Sequence, residues 1–114
     1  MLRVYGISNC DTVKKAKAFL DNEKIDYEFI DFKKNPPNKK SLSIWASFAG
    51  ELPVNKKGTT YKKVKDEYES KNESEKIELI LSNSSMIKRP IFERDNKVIC
   101  LGFNEEELRK NILG

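Results

Sequence analysis

The sequence predicts an α/β domain: a four-stranded mixed sheet whose βαβ half and ββα half are separated by a helical insertion. Three observations predict it. The chain opens as strand, helix, strand. Apolar residues in its middle recur at helical spacing, without the alternation of a strand. Its C-terminal part reads as a hairpin followed by one closing helix.

Leu2–Tyr5 reads as a short buried strand and Gly6–Asp11 as a polar turn. Thr12–Asn22 is a predicted helix, because Val13, Ala16, Phe19 and Leu20 fall on one face while Lys14, Lys15 and Lys17 fall elsewhere. Tyr27–Phe32 alternates, with Tyr27, Phe29 and Asp31 on one side and Ile30 and Phe32 on the other. Such a βαβ unit takes parallel strands and a right-handed crossover. Lys33–Lys40, centred on Asn35-Pro36-Pro37-Asn38, is a break. Ser41–Ala49 is a predicted helix directing Leu42, Trp45 and Phe48 inward, with Gly50 as its stop. Thr59–Tyr68 and Glu73–Leu81 are further helices, the second with an Ile77, Ile80, Leu81 stripe, so the insertion runs from about residue 38 to 84. Trp45, Phe48 and Tyr68 read as core of this insert. Ile87–Phe92 is a loop entering a strand, Asp95-Asn96-Lys97 a turn, and Val98–Leu101 the return strand. Asn104–Leu113 closes the chain as a helix, Asn104 and Glu107 having the spacing of a capping box. This order is that of a thioredoxin-like fold.

A chain of 114 residues is one domain by size. With 38% hydrophobic and 35% charged residues it has a globular composition. No apolar run approaches the ~20 residues of a membrane span, and the N-terminus lacks the apolar stretch and cleavage site of a signal peptide. The expected location is the cytoplasm, where thiols are kept reduced. A net charge of +4, with both signs mixed along the chain, gives no basis for nucleic-acid binding. There are two cysteines, Cys10 and Cys100, and no histidine. That excludes Cys-His and Ser-His dyads and a zinc site built from this chain's sulfur and imidazole ligands; no metal is expected. Activation of Cys10 must come from backbone dipoles or from Arg and Lys.

Three blocks of residues resemble a known family: Tyr5-Gly6-Ile7-Ser8-Asn9-Cys10-Asp11-Thr12-Val13-Lys14-Lys15-Ala16; Val54-Asn55-Lys56-Lys57-Gly58-Thr59-Thr60-Tyr61; and Ile87-Lys88-Arg89-Pro90-Ile91 followed by Leu101-Gly102-Phe103-Asn104-Glu105. In order and spacing they resemble the arsenate reductase / Spx family, and within it the YffB-like branch. The resemblance spans nearly the whole chain. It implies a redox-active cysteine in the first loop, Cys10, faced by Arg89, with a cis peptide bond between Arg89 and Pro90. It further implies a single-cysteine reductase in which no cofactor is bound and glutathione or another small thiol is co-substrate. Glutathione or a glutaredoxin-type reductant would be the partner; the alternatives within the family are an Spx-like regulator that binds RNA polymerase and a true arsenate reductase.

Cys10 precedes a helix, whose N-terminus favours the thiolate; Asp11 opposes it by like charge. Arg89 offers a permanently charged planar fork. Asn9, Asp11, Thr12, Lys56, Thr59 and Pro90 are candidates for the surface that holds the thiol or substrate, although Asp11, Thr12 and Thr59 are also ordinary helix-start residues. Cys100, alternating with Ile99, reads as a sheet-face core residue, with pairing to Cys10 as the alternative. Val13 stands where Spx proteins carry the second cysteine of a Cys-x-x-Cys pair, so that internal disulfide is unavailable.

The resemblance also locates two further arginines of arsenate reductases, at positions occupied here by Asn55 and by Leu101-Gly102. A charge-assisted hydrogen bond contributes about 1.5–3 kcal/mol, so two losses weaken oxyanion binding by roughly two to four orders of magnitude. Glutaredoxin-coupled arsenate reduction is expected to be absent or very slow. Efficient arsenite release by the unmodified protein, abolished by Cys10→Ser, would place the chain among true arsenate reductases.

Overall fold

A computed structural model describes residues 1–113; Gly114, counted in the single domain read from sequence, and the Leu113 side chain lie outside the described residues. The chain forms two compact units, one from Met1–Asn35 with the segment from Arg89 onward, the other from Pro36–Lys88.

The first unit holds strands β1 (Leu2–Gly6), β2 (Tyr27–Asp31), β3 (Ile91–Arg94) and β4 (Lys97–Leu101) and the helix α1 (Asp11–Asn22). The strand order is β2-β1-β3-β4. β1 runs parallel to β2, from Leu2↔Tyr27 to Gly6↔Asp31, and antiparallel to β3, with Tyr5 opposite Ile91 and Arg3 opposite Glu93. The sheet is therefore mixed, and its arrangement is thioredoxin-like. α1 and the C-terminal helix Glu105–Leu113 supply Ala16, Phe19, Leu20, Leu108 and Ile112 to a core completed by Leu2, Val4, Phe92 and Cys100. The Val13, Ala16, Phe19, Leu20 stripe read from the sequence is the buried face of α1.

Local chemistry fixes the element ends. α1 stops in a Schellman motif: the Ile25 N–H donates to the Leu20 carbonyl (2.9 Å) and the Lys24 N–H to the Asp21 carbonyl (3.1 Å). Lys24 takes the left-handed position, φ +58°, with Ile25 packed on the core. β3 turns into β4 through Asp95 and Asn96, at φ +54° and +64°, the signature of a type I′ hairpin. Between β3 and β4 the register steps from Phe92↔Cys100 to Glu93↔Val98, leaving Ile99 as the extra residue of a bulge. Glu93 is buried and accepts a hydrogen bond from the Tyr5 hydroxyl (3.0 Å). Asn104 caps the last helix by accepting from the Glu107 N–H (2.9 Å).

The second unit contains α2 (Lys39–Ala49), α3 (Thr59–Ser70), α4 (Glu73–Ser82) and a 3₁₀ turn at Ser84–Met86; the C-terminal helix is therefore α5. The Asn38 side chain caps α2 by accepting from the Ser41 N–H (2.9 Å), and Gly50, at φ +80°, ends it. Asn72 and Glu75 form a complete capping box at α4. Leu42, Trp45, Tyr61, Tyr68 and Ile80 are buried, and Ile77 and Leu81 only partly so. Phe48 corrects the inward trio expected of α2: it is 47% exposed. Steps of three residues drift backward around a helix, so Phe48, two such steps from Leu42, has rotated off the Leu42–Trp45 face and lies above Ile44, also exposed.

A lysine at φ +58° carries a left-handed penalty that glycine lacks. Lys24→Gly is expected to raise unfolding stability by about 0.5–1 kcal/mol, and Phe48→Ser to change it by less than about 0.5 kcal/mol; urea denaturation checks both.

Candidate functional site

The segment after β1 makes a tight turn through Ser8 and Asn9, closed by the Cys10 N–H donating to the Ile7 carbonyl (3.1 Å). Cys10 is then the N-cap of α1, in extended conformation at φ −86°, ψ 128°, and its own carbonyl accepts the first helical bond from the Lys14 N–H (3.0 Å). A thiol is a weaker cap than a hydroxyl or carboxylate, and Cys10 makes no conventional side-chain cap hydrogen bond. The orphan amides of the first turn act on its charge instead.

Partial burial pushes the Cys10 thiol up. The Val13 N–H, the Arg89 guanidinium (by a hydrogen bond to the sulfur and by its charge) and the Thr12 N–H together outweigh that, and hold the thiol below its ordinary value. Arg89 is half-buried and enters from the segment before β3, and the Arg89–Pro90 bond is cis. Pro90 is buried, and its carbonyl accepts from the Gly102 N–H (2.7 Å) at the end of β4. Asn9 and Asp11 are exposed and Thr12 half-buried around the sulfur-bearing turn.

The other cysteine sits in a contrasting environment. Cys100 is 2% exposed within the sheet-and-helix core. Burial pushes its thiol up, Asn111 Nδ2 donating to the sulfur (3.3 Å) offsets part of that, and Glu107 adds to the rise.

Lys56 and Thr59 belong to the helical unit. Lys56 is exposed in the loop before α3, and Thr59 is exposed at the first position of that helix. Asn55 holds this loop together: its N–H donates to the Met86 carbonyl (2.7 Å), its carbonyl accepts from the Gly58 N–H (3.1 Å), and its side-chain oxygen from the Lys57 N–H (3.3 Å). A side chain spent on a turn of this kind explains asparagine here. Among the described residues no cluster of three or more Cys, Asp or Glu is arranged to hold a metal ion, and no helix is long and apolar enough to cross a membrane.

Val13 is the site residue that reading by side-chain chemistry misses. Its contribution is an amide, and the available signal is its position, third in a helix capped by cysteine.

Fold and site together define a thioredoxin-like domain with one cysteine at a helix N-terminus. Residues 5–111 match the sequence profile of the ArsC family, and the chain belongs to that family. A solved structure of a YffB protein superposes with a TM-score of 0.87 at 32% identity, covering 98% of this chain and 99% of that one. An arsenate reductase (ArsC) related protein from Brucella melitensis is 36% identical with a TM-score of 0.75, covering 96% of this chain and 92% of that one. The global transcriptional regulator Spx of Streptococcus agalactiae is 29% identical over 96% of this chain and 81% of its own length.

The two thiols are displaced in opposite directions from the ordinary thiol value. With its folded value lowered, Cys10 contributes stability above the unfolded thiol value, lost as pH falls through the folded value; Cys100, raised, contributes stability that is lost as pH rises through its folded value. Alkylation with peptide mapping across pH should label Cys10 first, and Arg89→Met should raise the Cys10 midpoint. Prior labelling of Cys100 would refute the assignment.

Proposed function

We propose that the chain is a cytoplasmic single-cysteine reductase that uses glutathione or a similar small thiol. The observation that supports it is the Cys10 sulfur held low by the amides of the first turn of α1 and by Arg89, in a chain whose only other thiol is buried.

The Cys10 thiolate attacks the sulfur of a mixed disulfide R–S–S–G, G being the glutathionyl group. The S–S bond breaks, R–S⁻ leaves and takes a proton from water, and Cys10–S–S–G forms. A second glutathione thiolate attacks the glutathionyl sulfur, releasing oxidised glutathione and restoring the Cys10 thiolate. Substrate is reduced and glutathione oxidised by two electrons. The same amides and guanidinium that favour the resting thiolate make it a better leaving group in the second step. Asn9, Asp11, Thr12 and Pro90 are proposed to contact the thiol or substrate. No bound cofactor takes part in this cycle.

A second reading, an Spx-like regulator that binds RNA polymerase, is favoured by the 29% identity to the S. agalactiae regulator. Cys10 would then be a sensor.

Turnover of a small mixed disulfide by glutathione, coupled to glutathione reductase, tests the first reading. Wild type and Cys100→Ser should turn over within about twofold of each other, and Cys10→Ser should lose at least about a hundredfold, as expected when a nucleophile is removed. Absence of turnover together with retention of purified RNA polymerase on the immobilised protein would favour the regulator.

A further inference from the structure

We infer that Gly6 is a positioning residue for the Cys10 thiolate. It sets how deeply α1 seats against the end of β1, and so the distances from the sulfur to its amides and to Arg89. This rests on Cys10 being the reactive thiol.

Gly6 is buried at the last position of β1. A Cβ built on it would lie 2.7 Å from Val13 Cγ2, closer than two carbons can approach, and 3.7 Å from Val13 Cγ1 and Phe29 Cε1, both ordinary contacts. The obstacle is thus a single methyl group. It cannot swing away: Val13 is fully buried, and a β-branched side chain in a helix is confined to one favoured rotamer. Adding a methyl at position 6 leaves α1 to move instead, by roughly an ångström if van der Waals spacing is to be regained.

The residue met by that methyl is the one whose N–H does most to lower the Cys10 thiol. Cys10 is carried by α1 as its N-cap, whereas Arg89 arrives from the start of β3, which pairs with β1. Lifting α1 from β1 therefore draws the sulfur from the guanidinium. It also strains the turn that joins β1 to α1, closed by the Cys10 N–H bond to the Ile7 carbonyl, and with it the approach of the Val13 and Thr12 amides to the sulfur. The backbone at Gly6 has no left-handed φ that would call for glycine. The close approach of Val13 accounts for this residue.

The test is the Cys10 titration, read as iodoacetamide alkylation rate against pH, on Gly6→Ala, Val13→Ala and the double variant. Gly6→Ala is expected to raise the Cys10 midpoint by about one unit, and so to lower the alkylation rate about tenfold at a fixed pH below the wild-type midpoint. Val13→Ala keeps its backbone amide and should leave the midpoint close to that of wild type. In the double variant the obstacle is gone, and the midpoint should return to that of Val13→Ala. If Gly6→Ala does not fold, the double variant should fold with a wild-type thiol. A folded Gly6→Ala with an unchanged midpoint, or a double variant that is unfolded or still displaced, would overturn the inference. The readout needs no substrate, so a chain that shows this pattern and yet fails to turn over disulfides would count against the proposed reductase and leave the role of Gly6 standing.

Discussion

The site depends on one topological constraint, the antiparallel pairing of β1 with β3. Antiparallel neighbours place the end of one strand beside the start of the other, and here Tyr5 lies opposite Ile91. Cys10 follows the end of β1 and Arg89 precedes the start of β3, so residues remote in sequence meet across a single inter-strand spacing. A parallel pairing would have put the start of β3 at the opposite end of β1. β2, on the other flank, runs parallel to β1, which requires the α1 crossover and therefore puts a helix N-terminus just beyond the end of β1. Both influences that lower the Cys10 thiol, the helix amides and the guanidinium, follow from the position of β1 between a parallel and an antiparallel neighbour.

The two cysteines show how far environment overrides residue type. Cys10 is a cap, partly open, beside a cation and the first-turn amides of Thr12 and Val13. Cys100 lies opposite Phe92 in the core and serves as a small apolar side chain with one weak acceptor contact from Asn111. Asn111 also donates to the Ile99 carbonyl (2.9 Å), so it braces the bulged stretch of β4 against α5.

Elements whose apolar residues follow a clean period were legible in the sequence. α1 is the clearest, since all four residues of its predicted stripe are buried. Phe48 escapes the pattern because three-residue spacing keeps a helix face for one step and has left it after two. The Asn72–Glu75 capping box has the same residue pattern as Asn104–Glu107, but beside Ser70, Lys71 and Ser74 it does not stand out from other polar residues. The β3–β4 bulge was invisible because register is a property of two strands. In the site, Cys10 was legible from local chemistry, a thiol before a helix. Arg89 was not: nothing local to Lys88-Arg89-Pro90 names its partner, and only the family resemblance did. Val13 and Gly6 act through an amide and through a missing side chain, which composition and charge cannot register.

Val13 has one more consequence. Because that position holds no thiol, and the other cysteine of the chain is sequestered in the core, any disulfide at Cys10 joins two molecules. A pair within one helix turn is oxidised against a fixed, high effective concentration, so at a given reduction potential its state does not depend on how much external thiol is present. The redox state of Cys10 is governed by mass action instead. In the proposed reductase it would respond to the abundance of its thiol partner as well as to that partner's reduction potential: at a fixed potential, a lower concentration of the thiol favours free Cys10.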